Sequence, residues 1–257
     1  MTTIATRYPS PGVAQFSLGV QRELVPSLIL ETQYVGPLGW PQNVIVPINP
    51  FPLSTPLETR RLAGAGKITS AQNAMLRTYP GFTGINQETN AATTSYNSFQ
   101  IGVRQQDRHG LSYEVDYTYS HQIDDQLGSA DLTQISNPFN LKYDKGSGAL
   151  DRRHIVNINY VYKLPFFANG SSMMKNVLGG WTISGTVISE TGLPWAGVNA
   201  PGNGGPDTVG LGGNYTNRAN FSGKVKYPKT RGANGVYQWV SPDGFSQPTP
   251  SWLGGPN

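Results

Sequence analysis

The chain has 257 residues and a formal charge of +4, but Asp, Glu, Lys and Arg make up only 13% of it, about half the share of an ordinary soluble domain. Glycine (31) and proline (20) are plentiful, aromatics reach 11%, and cysteine is absent, which excludes disulfides, thiolate catalysis and Cys-based zinc sites. No apolar run approaches the 18 or so residues a spanning helix needs, and no Lys/Arg cluster forms a nucleic-acid patch, so any membrane reading is a β one and no nucleic-acid partner is expected.

The first segment, MTTIATRYPSPGVAQ, lacks a charged stretch followed by an apolar one, so it carries no export signal. The chain is then either cytoplasmic or an internal piece of something larger. Strand-like alternation begins at residues 13–22, where Ala14, Phe16, Leu18 and Val20 alternate with Gln15, Ser17, Gly19 and Gln21. After the turn ELVP (23–26), a less regular strand follows at 27–36: Leu28, Leu30, Thr32 and Tyr34 against Ile29, Glu31, Gln33 and Val35.

A Pro/Gly/Asn-rich stretch then reads as a long loop over about 36–95. A hairpin follows from strands 96–106 and 111–121, joined by DRHG at 107–110. The first strand sets Phe99, Ile101 and Val103 against Gln100, Gly102 and Arg104, and a five-residue loop would place Arg104 opposite Glu114. The second, LSYEVDYTYSH, has Leu111, Tyr113, Val115, Tyr117 and Tyr119 on one face and Ser112, Glu114, Asp116, Thr118 and Ser120 on the other. The last pair spans 153–164 and 180–191, with LPFFANGSSMMKNVLGG read as a turn between them and residues 201–257 as a long loop region. No helical periodicity of any length is evident.

Connections alternate between short turns and long loops, the asymmetry of an outer-membrane barrel, and strands of 9–11 residues suit a tilted bilayer crossing. The aromatics fall in two belts: Tyr34, Tyr96, Tyr117 and Tyr119 toward the long loops, and Tyr160, Tyr162, Phe166 and Trp181 toward the short turns. The fold class expected is therefore all-β: an antiparallel transmembrane β-barrel segment of about six to eight long strands, incomplete, with long extracellular loops. Lumen-facing candidates are Gln15, Glu31, Gln33, Gln100, Arg104, Glu114, Asp116, Asn157, Asn159, Lys163 and Glu190.

Two clusters invite chemistry. HQIDD sets His121 beside Asp124 and Asp125, but the spacing is no recognised metal-ligand pattern, and a structural or solvated-loop role fits better. DRRH gathers Asp151, Arg152, Arg153 and His154 where a strand begins, as a salt-bridge network at a rim would. GAGK at 64–67 lacks the spacing of a phosphate loop. No metal, cofactor or catalytic residue is expected.

The segments ETQYVGPLGW (31–40), YPGFTGINQ (79–87), YNSFQIGVRQQDRHGLSYEVDYTYSHQIDD (96–125), NPFNLKYDKGSGALDRRHIVNINYVYKLPF (137–166) and LGGWTISGTVISETGLPW (178–195) resemble the barrel portion of TonB-dependent receptor-like outer-membrane proteins, specifically the Oar-like group with a carboxypeptidase-regulatory-like domain. The resemblance implies a receptor that moves or binds a large solute across the cell outer membrane. It implies as partners the outer-membrane lipid, an unidentified solute and a TonB-type energising complex reached through N-terminal parts not present here. Signal sequence, TonB box, plug and closing aromatic strand lack counterparts in this sequence. A soluble or secreted β-sandwich binding module, an adhesin or carbohydrate binder using Tyr and Trp as platforms, is the rival.

Overall fold

A computed structural model of the chain describes residues 1–64, 66–125, 135, 137–166 and 179–194, with short pieces at 220–221, 225, 227, 230–231, 237–238, 241 and 244–246. The described residues form a ten-stranded sheet whose central path runs β10-β9-β7-β6-β4-β3. These strands are β3 (Ser17–Val25), β4 (Leu28–Val35), β6 (Asn86–Arg108), β7 (Leu111–Asp124), β9 (His154–Lys163) and β10 (Thr182–Glu190). Every neighbouring pair on this path is antiparallel. The sheet does not close, since β3 and β10 are its two ends.

Side-chain alternation on these strands explains why the sheet stands as a single layer. Tyr119 pairs with Phe99 and His154, Tyr117 with Ile101 and Val156, and Val115 with Val103 and Ile158, so one face is apolar across the sheet. Nothing packs across it among the described residues: Leu18 (75%), Val20 (65%) and Trp181 (62%) are largely exposed, while Tyr113, Val115, Tyr117 and Ile158 are only half-buried. The small core lies elsewhere, around Val44, Ala92 and Ile135. A β-sandwich needs a second sheet about 10 Å away covering that stripe, and these residues provide none.

The hairpin between β6 and β7 shows how local sequence sets register. His109 (φ 54°) and Gly110 (φ 79°) both occupy left-handed backbone between the paired Arg108 and Leu111, the geometry of a two-residue turn that follows strand twist. A Cβ on Gly110 would lie 2.9 Å from the Lys163 carbonyl oxygen. Gly110→Ala should therefore destabilise the folded barrel by about 2 kcal/mol through strained φ and a backbone clash, measured by urea titration in detergent micelles. In place of the expected five-residue loop, this two-residue turn and a register shift between Gln105 and Arg108 together set Arg104 opposite Glu114.

The long loop expected over 36–95 is corrected. Past Gly36 and Pro37 the chain continues as β5 (Leu38–Pro47), antiparallel to the upper half of β6, so that β4 and β5 together run beside almost the whole of β6. At 23 residues, β6 is more than twice the 9–11 needed to cross a bilayer, so the β5–β6 pair projects as an arm beyond the membrane-spanning length. Its tip carries two short helices absent from the sequence reading, α1 (Leu57–Gly64) and α2 (Ser70–Met75), the latter opened by a capping box between Thr69 and Gln72. Of GAGK, Gly64 is the last residue of α1. Asn49, 1% exposed, holds the tip together: its amide donates to the carbonyls of Tyr79, Phe82 and Thr83 and accepts from the Tyr79 N–H.

The expected strand over 13–22 also divides. Its start is β2 (Val13–Ala14) on β5, and Ser17–Val25 is β3 on β4; Gln15 lies in neither. Before them, β1 (Thr2–Ile4) pairs in parallel with β6 on its other edge, so residues 5–12 cross the arm as a strap. Tyr8 donates to Asn43 or Glu88 there, and Asn90 donates to the Pro9 carbonyl. The connection after β7 carries a 3-10 turn (Leu141–Asp144) and β8 (Gly146–Ser147), which pairs with the end of β7. Of the turn expected between the last two long strands, residues 167–178 lie outside the described residues, as does most of the 201–257 loop region.

Candidate functional site

The two faces of the sheet define the candidate site. By register, Gln33 faces Gln100, Arg104 faces Glu114, Glu114 faces Asn159, Asp116 faces Asn157, and Glu190 pairs with Ile155. Directly opposed residues share a face and side chains repeat every second residue, so Glu31, Gln33, Gln100, Arg104, Glu114, Asp116, Asn157, Asn159, Lys163 and Glu190 all stand on the face opposite the apolar stripe. Tyr34, Tyr117, Tyr119, Tyr160 and Tyr162 stand on the stripe itself, and Trp181 lies just before β10, where its carbonyl accepts from the Leu164 N–H. Tyr34 and Tyr119 mark the long-loop end, and Tyr160 and Tyr162 the short-turn end.

The polar face is organised by neighbouring pairs. Arg104 donates to one Glu114 oxygen from Nη2 at 2.5 Å and from Nε at 3.2 Å. On the adjoining strands the Thr186 hydroxyl donates to Asn159 Oδ1 at 2.9 Å. Lys163 reaches back to the turn, where Nζ lies 2.8 Å from Asp107 Oδ2. Among the described residues, no hydrogen bond or ion pair is seen for Glu31 or Asp116, which flank Gly102 from either side.

At the long-loop end lies a denser cluster. Asp151, 4% exposed, accepts from the Gln122 N–H at 2.8 Å through Oδ1. Its Oδ2 lies 3.0 Å from both His121 Nδ1 and Arg153 Nε. Arg153 Nη2 also lies 3.0 Å from His121 Nε2. A guanidinium has no acceptor, so Nε2 accepts and the ring proton sits on Nδ1, facing Asp151. Burial works to raise the Asp151 carboxyl, but the Gln122 N–H, His121 and Arg153 outweigh it and hold it below the usual carboxylate range.

Sequence neighbours proved to be the wrong partners for His121. Three residues apart on a strand, His121 and Asp124 project to opposite faces, and the imidazole finds Asp151 thirty residues away. Asp124 accepts from Gln122, and Asp125 accepts from Thr93. Within DRRH the arginines part: Arg153 stays on Asp151, while Arg152 turns to Glu190, at 2.5 Å, and the Thr191 carbonyl. His154 Nδ1 lies 2.8 Å from the Tyr117 hydroxyl, and its ring stacks on Tyr117. Among the described residues, no group of three His, Asp or Glu side chains is placed to hold a metal.

Comparison with known proteins adds a family. A family model described as an outer membrane beta barrel domain matches residues 1–255. The outer membrane transporter YddB from Escherichia coli is similar at 12% identity and a TM-score of 0.39, over 73% of this chain and 26% of that one. The chain thus spans about a quarter of the transporter's length. No curated protein matches.

Proposed function

The chain belongs to the outer membrane beta barrel domain family and resides in the outer membrane, and from that premise we propose that it is wall and surface loops of a TonB-dependent receptor that moves or binds a large solute. One observation carries the reading: across six antiparallel strands every apolar row is open on one side, and the polar candidates gather on the other. In this reading the open stripe meets acyl chains and the two tyrosine levels meet the headgroups, while the polar face lines the lumen. Unpaired backbone at β3 and β10 is untenable in lipid, so further strands complete the wall.

The partners in this reading are outer-membrane lipid, the solute, and an inner-membrane energising complex of the TonB type. Nucleic acid has no part in it. His121 and His154 brace the strand ends: both ring nitrogens of His121 engage Asp151 and Arg153, and His154 Nδ1 engages the Tyr117 hydroxyl. The test is uptake by cells producing the full-length protein, before and after a protonophore. The expected result is heat-modifiable protein in the outer-membrane fraction and an uptake that collapses with the proton gradient. Protein found in the soluble fraction, or uptake indifferent to the protonophore, rules the proposal out.

A further inference from the structure

A groove of about 430 Å³ crosses the polar face at right angles to the strands, near the short-turn end. Its form follows from register. Arg104, Glu114, Asn159 and Thr186 lie side by side on four adjacent strands and make the upper wall. Two residues along each strand, toward the turns, Ser112, Val161 and Ser184 make the lower wall. The residues in between point their side chains to the other face, so the floor is backbone.

We propose that this groove is a binding subsite for a neutral, polyhydroxylated solute of about disaccharide size. The inference rests on the reading of this face as the wall of the solute route, and names the class of solute that wall accommodates. Its volume falls within the roughly 300–1,000 Å³ of small-molecule sites. Among the described residues that line it, the two charged groups, Arg104 and Glu114, pair with each other. What remains for a ligand is uncharged: the Ser184 hydroxyl, Gln106, the Ser112 hydroxyl, which also accepts from the Asp107 N–H, and the Asn159 amide, whose oxygen is committed to Thr186 and whose nitrogen is left to donate. Sugar hydroxyls both give and accept hydrogen bonds, which suits such alternation, and Val161 offers a strip for an apolar ring face. The carboxylates of Glu31 and Asp116 stand about 7 Å further up the strands, beyond Arg104, and their field falls on that guanidinium at the upper wall.

The test is equilibrium dialysis of the full-length protein in detergent micelles against radiolabelled sucrose, with spermidine and citrate as cationic and anionic competitors of similar size. Sucrose should be retained saturably and displaced by neither competitor. Ser184→Trp, which fills the groove from the lumen side, should weaken retention at least about tenfold while the protein still migrates as a folded, heat-modifiable barrel. Thr186→Val, which removes one hydroxyl, should weaken it roughly fivefold, and it carries the comparison if the tryptophan variant does not fold. The inference fails if wild type does not retain sucrose, if spermidine or citrate displaces it, or if the folded variants bind as wild type does. Should sucrose go unbound while uptake still collapses with the proton gradient, the subsite alone falls; protein in the soluble fraction removes both.

Discussion

Asp151→Ala is expected to lower the unfolding free energy by about 3 kcal/mol, the low end of the cost of deleting one partner from a buried ion pair, because Arg153 and His121 are themselves part-exposed. The carboxylate is nearly inaccessible and answers three groups at once: the Gln122 N–H, His121 Nδ1 and Arg153 Nε. Alanine leaves the guanidinium beside an imidazole with no anion between them, and it strands the Gln122 N–H just past the end of the β7–β9 pairing. Asp151→Asn keeps an acceptor for Gln122 and should cost less, about 1–3 kcal/mol. Urea titrations followed by tryptophan fluorescence would rank the three proteins.

The same carboxylate predicts a sign for the pH dependence. Its folded value lies below its unfolded one, which is near 3.9. Its contribution is thus complete above the unfolded value and disappears as pH falls through the folded value. Wild type should therefore lose stability over that acidic window by more than Asp151→Ala does. Parallel acid profiles would show that Asp151 is not the anchor of this loop.

How far the fold is legible in the sequence depends on what each face of a strand meets. Along Leu111–Tyr119 the alternation is strict because one side of the sheet is apolar and the other polar, so every residue reports its side, and the Arg104–Glu114 register is set by the two-residue turn together with the register shift between Gln105 and Arg108. The upper half of β6, NQETNAATTS, carries no such signal. One side of the arm is crossed by the polar strap of Tyr8 and Pro9, and its interior among the described residues is Val44, Ala92 and Ile135, with Val46 and Ala91 packed against them. Its partner β5 contains Pro41, which sequence rules assign to a loop, and the structure seats it in a register shift between Gly39 and Gln42. The helices at the tip are too short for periodicity to show, and they persist because buried Arg60 ties α1 to the Leu53 and Thr55 carbonyls while buried Arg77 links Asn73 of α2 to the Asn49 carbonyl. At the rim, DRRH announced an ionic cluster, but its partners His121 and Glu190 are contributed by other strands, and only register reveals them.

The second large effect concerns the stripe. Val115→Arg should destabilise the barrel in phospholipid vesicles by about 2–4 kcal/mol, because Val115 lies midway between the two tyrosine levels, where a guanidinium meets hydrocarbon. Leu18→Arg, on the same face but level with Tyr34, should cost only about 0–1 kcal/mol, since its charge reaches the headgroups. Asn157→Arg, on the opposite face beside Asp116, should stay within about 0.5 kcal/mol of wild type. It is this ordering, more than any single value, that distinguishes acyl chains from a protein interior. In a packed core the penalty would follow burial, and Val115 is only half-buried by protein, so its large cost must come from the surrounding lipid. Reversible unfolding of the three variants in vesicles measures the order directly, and equal penalties at Val115 and Leu18 would mean that the stripe does not face a bilayer.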